Sequence, residues 1–193
     1  MPASSKLNAD EILIAEYNYI ANSVFQSNED RSRVASFYFV SVGSLIAAIF
    51  GTIISADSIK IFAPAFSGLF FMLTILGAIT LAKLARLRAA WHEAVEAMNR
   101  IKDHYIKNNH EIEPAFKWRL KTLPPTDKPY SIANLLAVEV STLSAITCIA
   151  AVYFLLVNLG EMTWWGWILL VSTGFGGFSA QWAWYKFLLI DNQ

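Results

Sequence analysis

Four long runs of the chain contain no charged residue: residues 34–56, 61–82, 140–160 and 162–185. A helix needs about 20 apolar residues to cross a hydrocarbon core of roughly 30 Å, and each run is that long. Because lipid offers backbone groups no hydrogen-bond partner, such spans are helical. The sequence lacks the alternating segments of about ten residues that are typical of barrel strands. We therefore predict an all-α membrane protein with four transmembrane helices.

The polar segments complete the predicted organisation. In order, it comprises a cytoplasmic N-terminal helix (1–33), two transmembrane helices (34–56 and 61–82), a cytoplasmic helix with a Pro-rich connector (83–129), two further transmembrane helices (132–160 and 162–186) and a tail (187–193). Fourteen of the fifteen Lys and Arg residues lie before, between or after the two pairs of spans, and only Lys60 lies in a short turn within a pair. Since cytoplasmic segments carry the excess of these residues, both termini are predicted to be cytoplasmic.

Apolar stripes predict that the first two spans continue as long cytoplasmic helices. Leu13, Tyr17, Ile20 and Val24 form one stripe, and no proline interrupts the chain between Pro2 and Pro64. The stripe after the second span consists of Leu84, Leu87, Trp91, Ala94, Met98, Ile101 and Tyr105. Its spacings of three and four predict a coiled-coil-like bundle with the N-terminal helix.

Local signals predict how individual helices begin and end. Asn108 and Asn109 are stop signals for the second long helix, and Ser131 is a plausible N-cap for the third span. Pro64 is expected in a first helical turn, where its missing N–H costs little.

Small and polar side chains follow one face of the third span. The face consists of Asn134, Ala137, Ser141, Ser144, Cys148, Ala151, Leu155 and Asn158. Such a face permits tight helix packing, or it lines a water-filled pore through an oligomer, and the sequence leaves both interpretations open. Ser41 and Ser44 mark a similar face on the first span.

Glu139 is the one acid inside the third predicted span. An acid at the bilayer centre costs about 2.5–3.5 kcal/mol, so it needs water or a partner. One interpretation is a functional carboxylate, and the other is an ion pair with Lys83 or Arg86 at the inner interface.

Tryptophans cluster at both ends of the fourth span. Trp164, Trp165 and Trp167 lie at the outer end, and Trp182, Trp184 and Tyr185 at the inner end. This is the aromatic belt expected at the two membrane interfaces.

The composition of the chain limits the classes of function that it can have. Apolar residues make up 55% of the 193 residues and charged residues 16%, against about 25% in soluble domains. The net charge is zero, so no duplex DNA binding is expected. The single cysteine and three histidines offer no metal site, and no phosphate-binding or catalytic motif is present. We predict neither catalysis nor a cofactor.

The central cytoplasmic segment is the most basic part of the chain. Its candidate contacts for an anionic ligand are Arg86, Arg88, Arg100, Lys102, Lys117, Arg119 and Lys121. Residues 116–121 (FKWRLK) interleave bases with aromatics, which is also typical of a segment lying on the membrane surface.

Two stretches, EYNYIANSVFQSNEDRSRVASFYF (16–39) and LAKLARLRAAWHEAVEAMNRI (81–101), carry a family resemblance. With the short turn between their spans, they resemble the SLATT-like and Hailong-type membrane effectors of bacterial anti-phage defence. The resemblance implies a homo-oligomeric, channel-like protein of the bacterial inner membrane. It also implies gating by a nucleotide or oligonucleotide from a companion nucleotidyltransferase, with membrane depolarisation as the outcome.

Other functions fit the same pattern. The main alternative is a membrane scaffold or adaptor that recruits partners through its cytoplasmic helices. A small secondary transporter should show an internal repeat, and none is visible between the two pairs of spans. A membrane enzyme with scattered residues is the remaining alternative.

Overall fold

The computed structural model describes residues 9–51, 56–160 and 162–191. Four α-helices account for most of them: α1 (Ala9–Gly51), α2 (Ala56–Asn108), α3 (Ile132–Leu159) and α4 (Trp164–Asp191). Two short 3-10 helices, His110–Ala115 and Leu120–Thr122, interrupt the connection from α2 to α3. The described residues contain no strand, so the predicted all-α class is confirmed for them.

The two long helices are continuous, as the unbroken apolar stripes predict. α1 has 43 residues and α2 has 53. The predicted end of α2 at Asn108 is confirmed, and so is the N-cap of α3, where the Ser131 hydroxyl accepts from the Asn134 N–H. Each signal acts locally through the backbone, so distant packing does not override it.

The connection between α1 and α2 differs from the prediction. Residues 57–60 were predicted as a turn, but they belong to α2, and the link falls on residues 52–55, outside the described part. Pro64 therefore lies more than two turns inside α2 instead of in a first turn. Proline in a helix interior removes one backbone hydrogen bond, and the helix continues through it here.

α2 and α3 are the central helices of the fold, because each packs against all three of the others. The main core consists of Tyr38, Val42, Leu81, Leu84, Ala85, Ala137, Val140, Tyr185 and Leu189. We call residues 34–51, 59–82, 132–159 and 164–186 the apolar layer. Residues 9–33 and 83–129 form the polar arm, in which the first half of α1 lies along the second half of α2.

Polar contacts tie the parts of the arm together. The Tyr105 hydroxyl at the end of α2 donates to Asp10 at 3.4 Å near the start of α1. Arg119 of the connector pairs with Asp103 of α2 at 3.3 Å, and this ion pair fastens the connector to α2. Arg119 also pairs with Glu113 within the connector. α1 and α2 therefore contact each other within one chain, and a coiled-coil-like bundle stays a prediction.

Within the described ranges, three helices are long and apolar enough to cross a membrane: Asp10–Ile49, Ile59–Asn108 and Ile132–Leu159. α4 has 28 residues, which is about 42 Å of helix. Its tryptophans, four glycines and Gln181 lower the hydropathy of its most apolar stretch below that of the three candidate spans. A fourth span therefore stays a prediction.

The aromatic residues of α4 divide into two groups. Trp164, Trp165 and Trp167 expose about three fifths of their surface, which suits an interfacial belt. At the other end Trp184 is 47% exposed, whereas Tyr185 is 1% exposed. The expectation that Tyr185 belongs to the belt is wrong, because its position on α4 turns it into the main core.

Candidate functional site

A chain of hydrogen bonds joins three helices inside the apolar layer. Gln181 Nε2 on α4 donates to Ser144 Oγ on α3 at 2.6 Å. Ser144 Oγ donates in turn to the Thr74 carbonyl on α2 at 3.2 Å, and the Thr74 and Thr147 hydroxyl oxygens are 3.0 Å apart. Each of these bonds crosses between helices, so the cluster fixes their mutual rotation. We call these four residues the polar cluster.

A glycine allows the helices to approach closely at this cluster. A Cβ added at Gly77 of α2 would lie 2.4 Å from Ser144 Oγ and 2.8 Å from the Tyr38 hydroxyl of α1. Ser67 makes a further link by donating to the Ala151 carbonyl at 2.8 Å. Small residues thus bring α1, α2 and α3 together, as in other close helix crossings.

The predicted small and polar face of α3 is only partly buried. Ser141 and Ser144 are fully buried between helices of one chain. Asn134 and Cys148 are half-buried, and Asn158 is exposed. Thr147, one position from Cys148, takes the buried place instead. Within the protomer, the buried residues therefore act in helix packing.

Glu139 lies on the outer surface of α3. Its side chain is exposed, and none of the ion pairs found among the described residues includes it. Lys83 and Arg86 are exposed as well, and neither pairs with it there. Glu139 is seven residues past the start of α3, about 10 Å along the helix.

The other serine face is on α1. Ser44 is exposed, and Ser41 is half-buried with its hydroxyl donating to the Phe37 carbonyl at 2.8 Å. A Cβ added at Gly43 or Gly51 would meet nothing within 4 Å. This part of α1 therefore presents a narrow, uncharged surface to the outside of the protomer.

Two arginines are buried where the polar arm meets the apolar layer. Arg31 is 7% exposed and Arg88 is 5% exposed. Burial lowers the pKa of both guanidinium groups, and the positive charge of Arg88 lowers that of Arg31 further. The buried Tyr185 lies close enough to interact electrostatically with both. We call Arg31 and Arg88 the arginine pair.

The six remaining predicted anion contacts are dispersed, and three of them are engaged within the chain. Arg100 pairs with Glu96 at 2.7 Å, and Lys102 donates to Asn99 at 3.3 Å. Hydrogen bonds, first that to Glu113, raise the pKa of Arg119. Four of the candidates are exposed: Arg86, Arg100, Lys117 and Lys121. Only Arg88 of the predicted set lies in the buried pair.

Sequence reasoning missed Arg31 as a candidate. A usable signal existed, because Arg31, Ala35, Tyr38 and Val42 follow one another at spacings of four, three and four, and all four are buried. Thr147 was missed because it lies one position from the predicted face, and sequence spacing alone does not show whether Thr147 or Cys148 is buried.

Comparison with known proteins finds no family model, curated protein or solved structure that matches this chain.

Proposed function

We propose that this chain is a channel-like effector of the bacterial inner membrane. In this proposal it crosses the membrane four times with both termini cytoplasmic. It assembles into a homo-oligomer through its outer surface, with coiled-coil-like pairing in the polar arm. A phosphate-bearing signal controls it, and opening depolarises the membrane. The resemblance of residues 16–39 and 81–101 to SLATT-like effectors of anti-phage defence motivates the biological context.

The exposed carboxylate of Glu139 is the observation that carries the proposal. It projects from a helix that is apolar enough to span a membrane, and no cation of the described chain pairs with it. A carboxylate facing lipid is costly, so a neighbouring protomer or a water-filled path must cover it. The outward serine face of α1 adds a second surface that a neighbouring protomer or a pore could use.

Ion flux through vesicles tests the proposal. Purified protein is reconstituted into phosphatidylethanolamine–phosphatidylglycerol vesicles with a K⁺ gradient, with and without a mixture of nucleotides. We expect flux above that of protein-free vesicles in one of the two conditions. Glu139→Leu should reduce the flux at least tenfold, whereas Thr142→Leu, an exposed position on the same helix, should not. Flux equal to that of empty vesicles in both conditions would overturn the proposal.

The scaffold alternative rests on a different observation. The arm half of α1 exposes large apolar side chains, with Tyr19 at 69% and Phe25 at 65%. Outside a membrane, such side chains are typical of a protein interface. A scaffold would keep its cellular phenotype in Glu139→Leu and lose it in Tyr19→Glu and Phe25→Glu. The channel makes the opposite prediction for Glu139.

A further inference from the structure

The arginine pair occupies positions that normally hold apolar residues. Arg31 lies four residues before Ala35 on the buried face of α1, and Arg88 lies four residues after Leu84 on the buried face of α2. Arginine is almost never this deeply buried unless a counter-charge accompanies it.

The packing of α1 on α2 places the two arginines close to each other along the helix pair. A Cβ added at Gly77 of α2 would lie 2.8 Å from the hydroxyl of Tyr38 of α1, which fixes the register of the antiparallel helices. Seven residues from each of these positions, Arg31 comes level with Leu84, and Arg88 follows one turn later. The hydrogen bond between Tyr105 and Asp10 at the far end of the arm fits the same register.

No carboxylate neutralises the pair within the described chain. The ion pairs found there use Arg33, Arg100, Arg119 and Lys186 instead. Two adjacent buried cations without an acid carry a large desolvation cost and also repel each other.

The partners that the two arginines do have are neutral. Arg88 donates from Nε to the Thr126 carbonyl at 3.0 Å, and its guanidinium lies 4.5 Å from the centre of the Trp91 ring. Arg31 donates to the Asn28 side chain, while its Nε is buried and has no acceptor among the described residues. The arginine pair therefore has one N–H donor without an acceptor and positive charge without a counter-charge among the described residues.

We propose that Arg31 and Arg88 together bind a phosphate group at the boundary between the apolar layer and the polar arm. Guanidinium groups bind phosphate oxygens through paired, charge-assisted hydrogen bonds, which matches the unused donor and the missing counter-charge. The site lies beside the apolar layer, so the phosphate belongs either to a phospholipid headgroup or to a soluble phosphate compound. This inference deepens the proposed function and rests on it for the membrane placement.

Thermal unfolding of the detergent-purified full chain tests the site and its source of phosphate. The soluble probe is inorganic pyrophosphate, with chloride at equal ionic strength as its control. The lipid probe is dioleoylphosphatidylglycerol in mixed micelles, with dioleoylglycerol as the phosphate-free control. The variants are Arg31→Met and Arg88→Met. The matched controls are Arg33→Met and Arg86→Met, which remove the same charge from exposed positions two residues away.

At about ten times its Kd, a phosphate probe should raise the Tm of the wild-type protein by about 4 °C. The rise should vanish in Arg31→Met and Arg88→Met and persist in both controls. A response to phosphatidylglycerol alone identifies a lipid site, and a response to pyrophosphate identifies a soluble ligand. The absence of any rise, or an equal rise in all five proteins, would overturn the inference.

The variants remain informative if they fold, and folding is expected because methionine suits a buried apolar position. Without a probe, Arg31→Met should unfold no earlier than the wild type, since it removes an uncompensated buried charge, whereas Arg88→Met also loses the hydrogen bond to the Thr126 carbonyl. The assay measures binding alone. If the protein binds phosphate but conducts no ions, the proposed function is contradicted and the phosphate site at the arginine pair is still supported.

Discussion

One methyl group added at Gly77 should destabilise the packing of α2 against α3 and α1. Its added Cβ would lie 2.4 Å from Ser144 Oγ, 2.6 Å from Ser144 Cβ and 2.8 Å from the Tyr38 hydroxyl. Ordinary contacts between such atoms are about 3.5–4.0 Å. In Gly77→Ala, α2 and α3 must therefore separate by about 1 Å, or the polar cluster must break.

The matched control for this change is Gly68→Ala in the same helix. A Cβ at Gly68 meets nothing within 4 Å. Both substitutions gain the same helix propensity, about 1 kcal/mol, so this gain cancels in the comparison. Overpacking of a close contact costs about 1–3 kcal/mol. Gly77→Ala should thus be less stable than Gly68→Ala by about that amount.

Tryptophan fluorescence during thermal unfolding in one detergent measures the difference. For a chain of this size, about 1 kcal/mol corresponds to a change in Tm of roughly 2–4 °C. Ser144→Gly should restore part of the stability of Gly77→Ala, because it removes both of the nearest atoms. Equal Tm values for the two alanine variants would refute the close packing of α2 on α3.

Three further predictions follow from other contacts. Ser144→Ala should cost about 1 kcal/mol in unfolding free energy because it removes the acceptor of Gln181, whereas the exposed Thr142→Ala should be neutral in the same melt. Arg119→Met should release the connector from α2, seen as faster proteolysis after residue 109, and high salt should reproduce the effect in the wild type. Desolvation and then the negative charge of Asp10 raise the pKa of Tyr105, so Asp10→Asn should shift its ultraviolet titration to lower pH; an unshifted titration would contradict the contact.

The sequence was sufficient for the long helices because the signals there are local. Stripes at three and four residues extend through the polar arm, α2 ends at Asn108, and Ser131 marks the start of α3 by accepting from the Asn134 N–H. The link between α1 and α2 was harder to place. Asp57 and Lys60 suggested a polar turn, whereas an acid such as Asp57 is equally compatible with the first turn of a helix.

Which side of each helix is buried was harder to predict than whether the helix forms. On α3, small and polar residues are so frequent that several helical faces fit, and only the partners on α2 and α4 select the one through Ser144 and Thr147. Arg31 shows the same difficulty for charge. Its residue type predicts exposure, but its helical phase places it in the core with Ala35 and Tyr38.

The most direct test of the proposed topology is the location of the two chain ends. Reporters active only in the cytoplasm or only outside it are fused in turn to each terminus of the full chain. Four spans place both termini in the cytoplasm, so only the cytoplasmic reporter should be active at either end. An outside reporter that is active at the C-terminus, with a cytoplasmic N-terminus, would mean that α4 does not cross and would contradict the account.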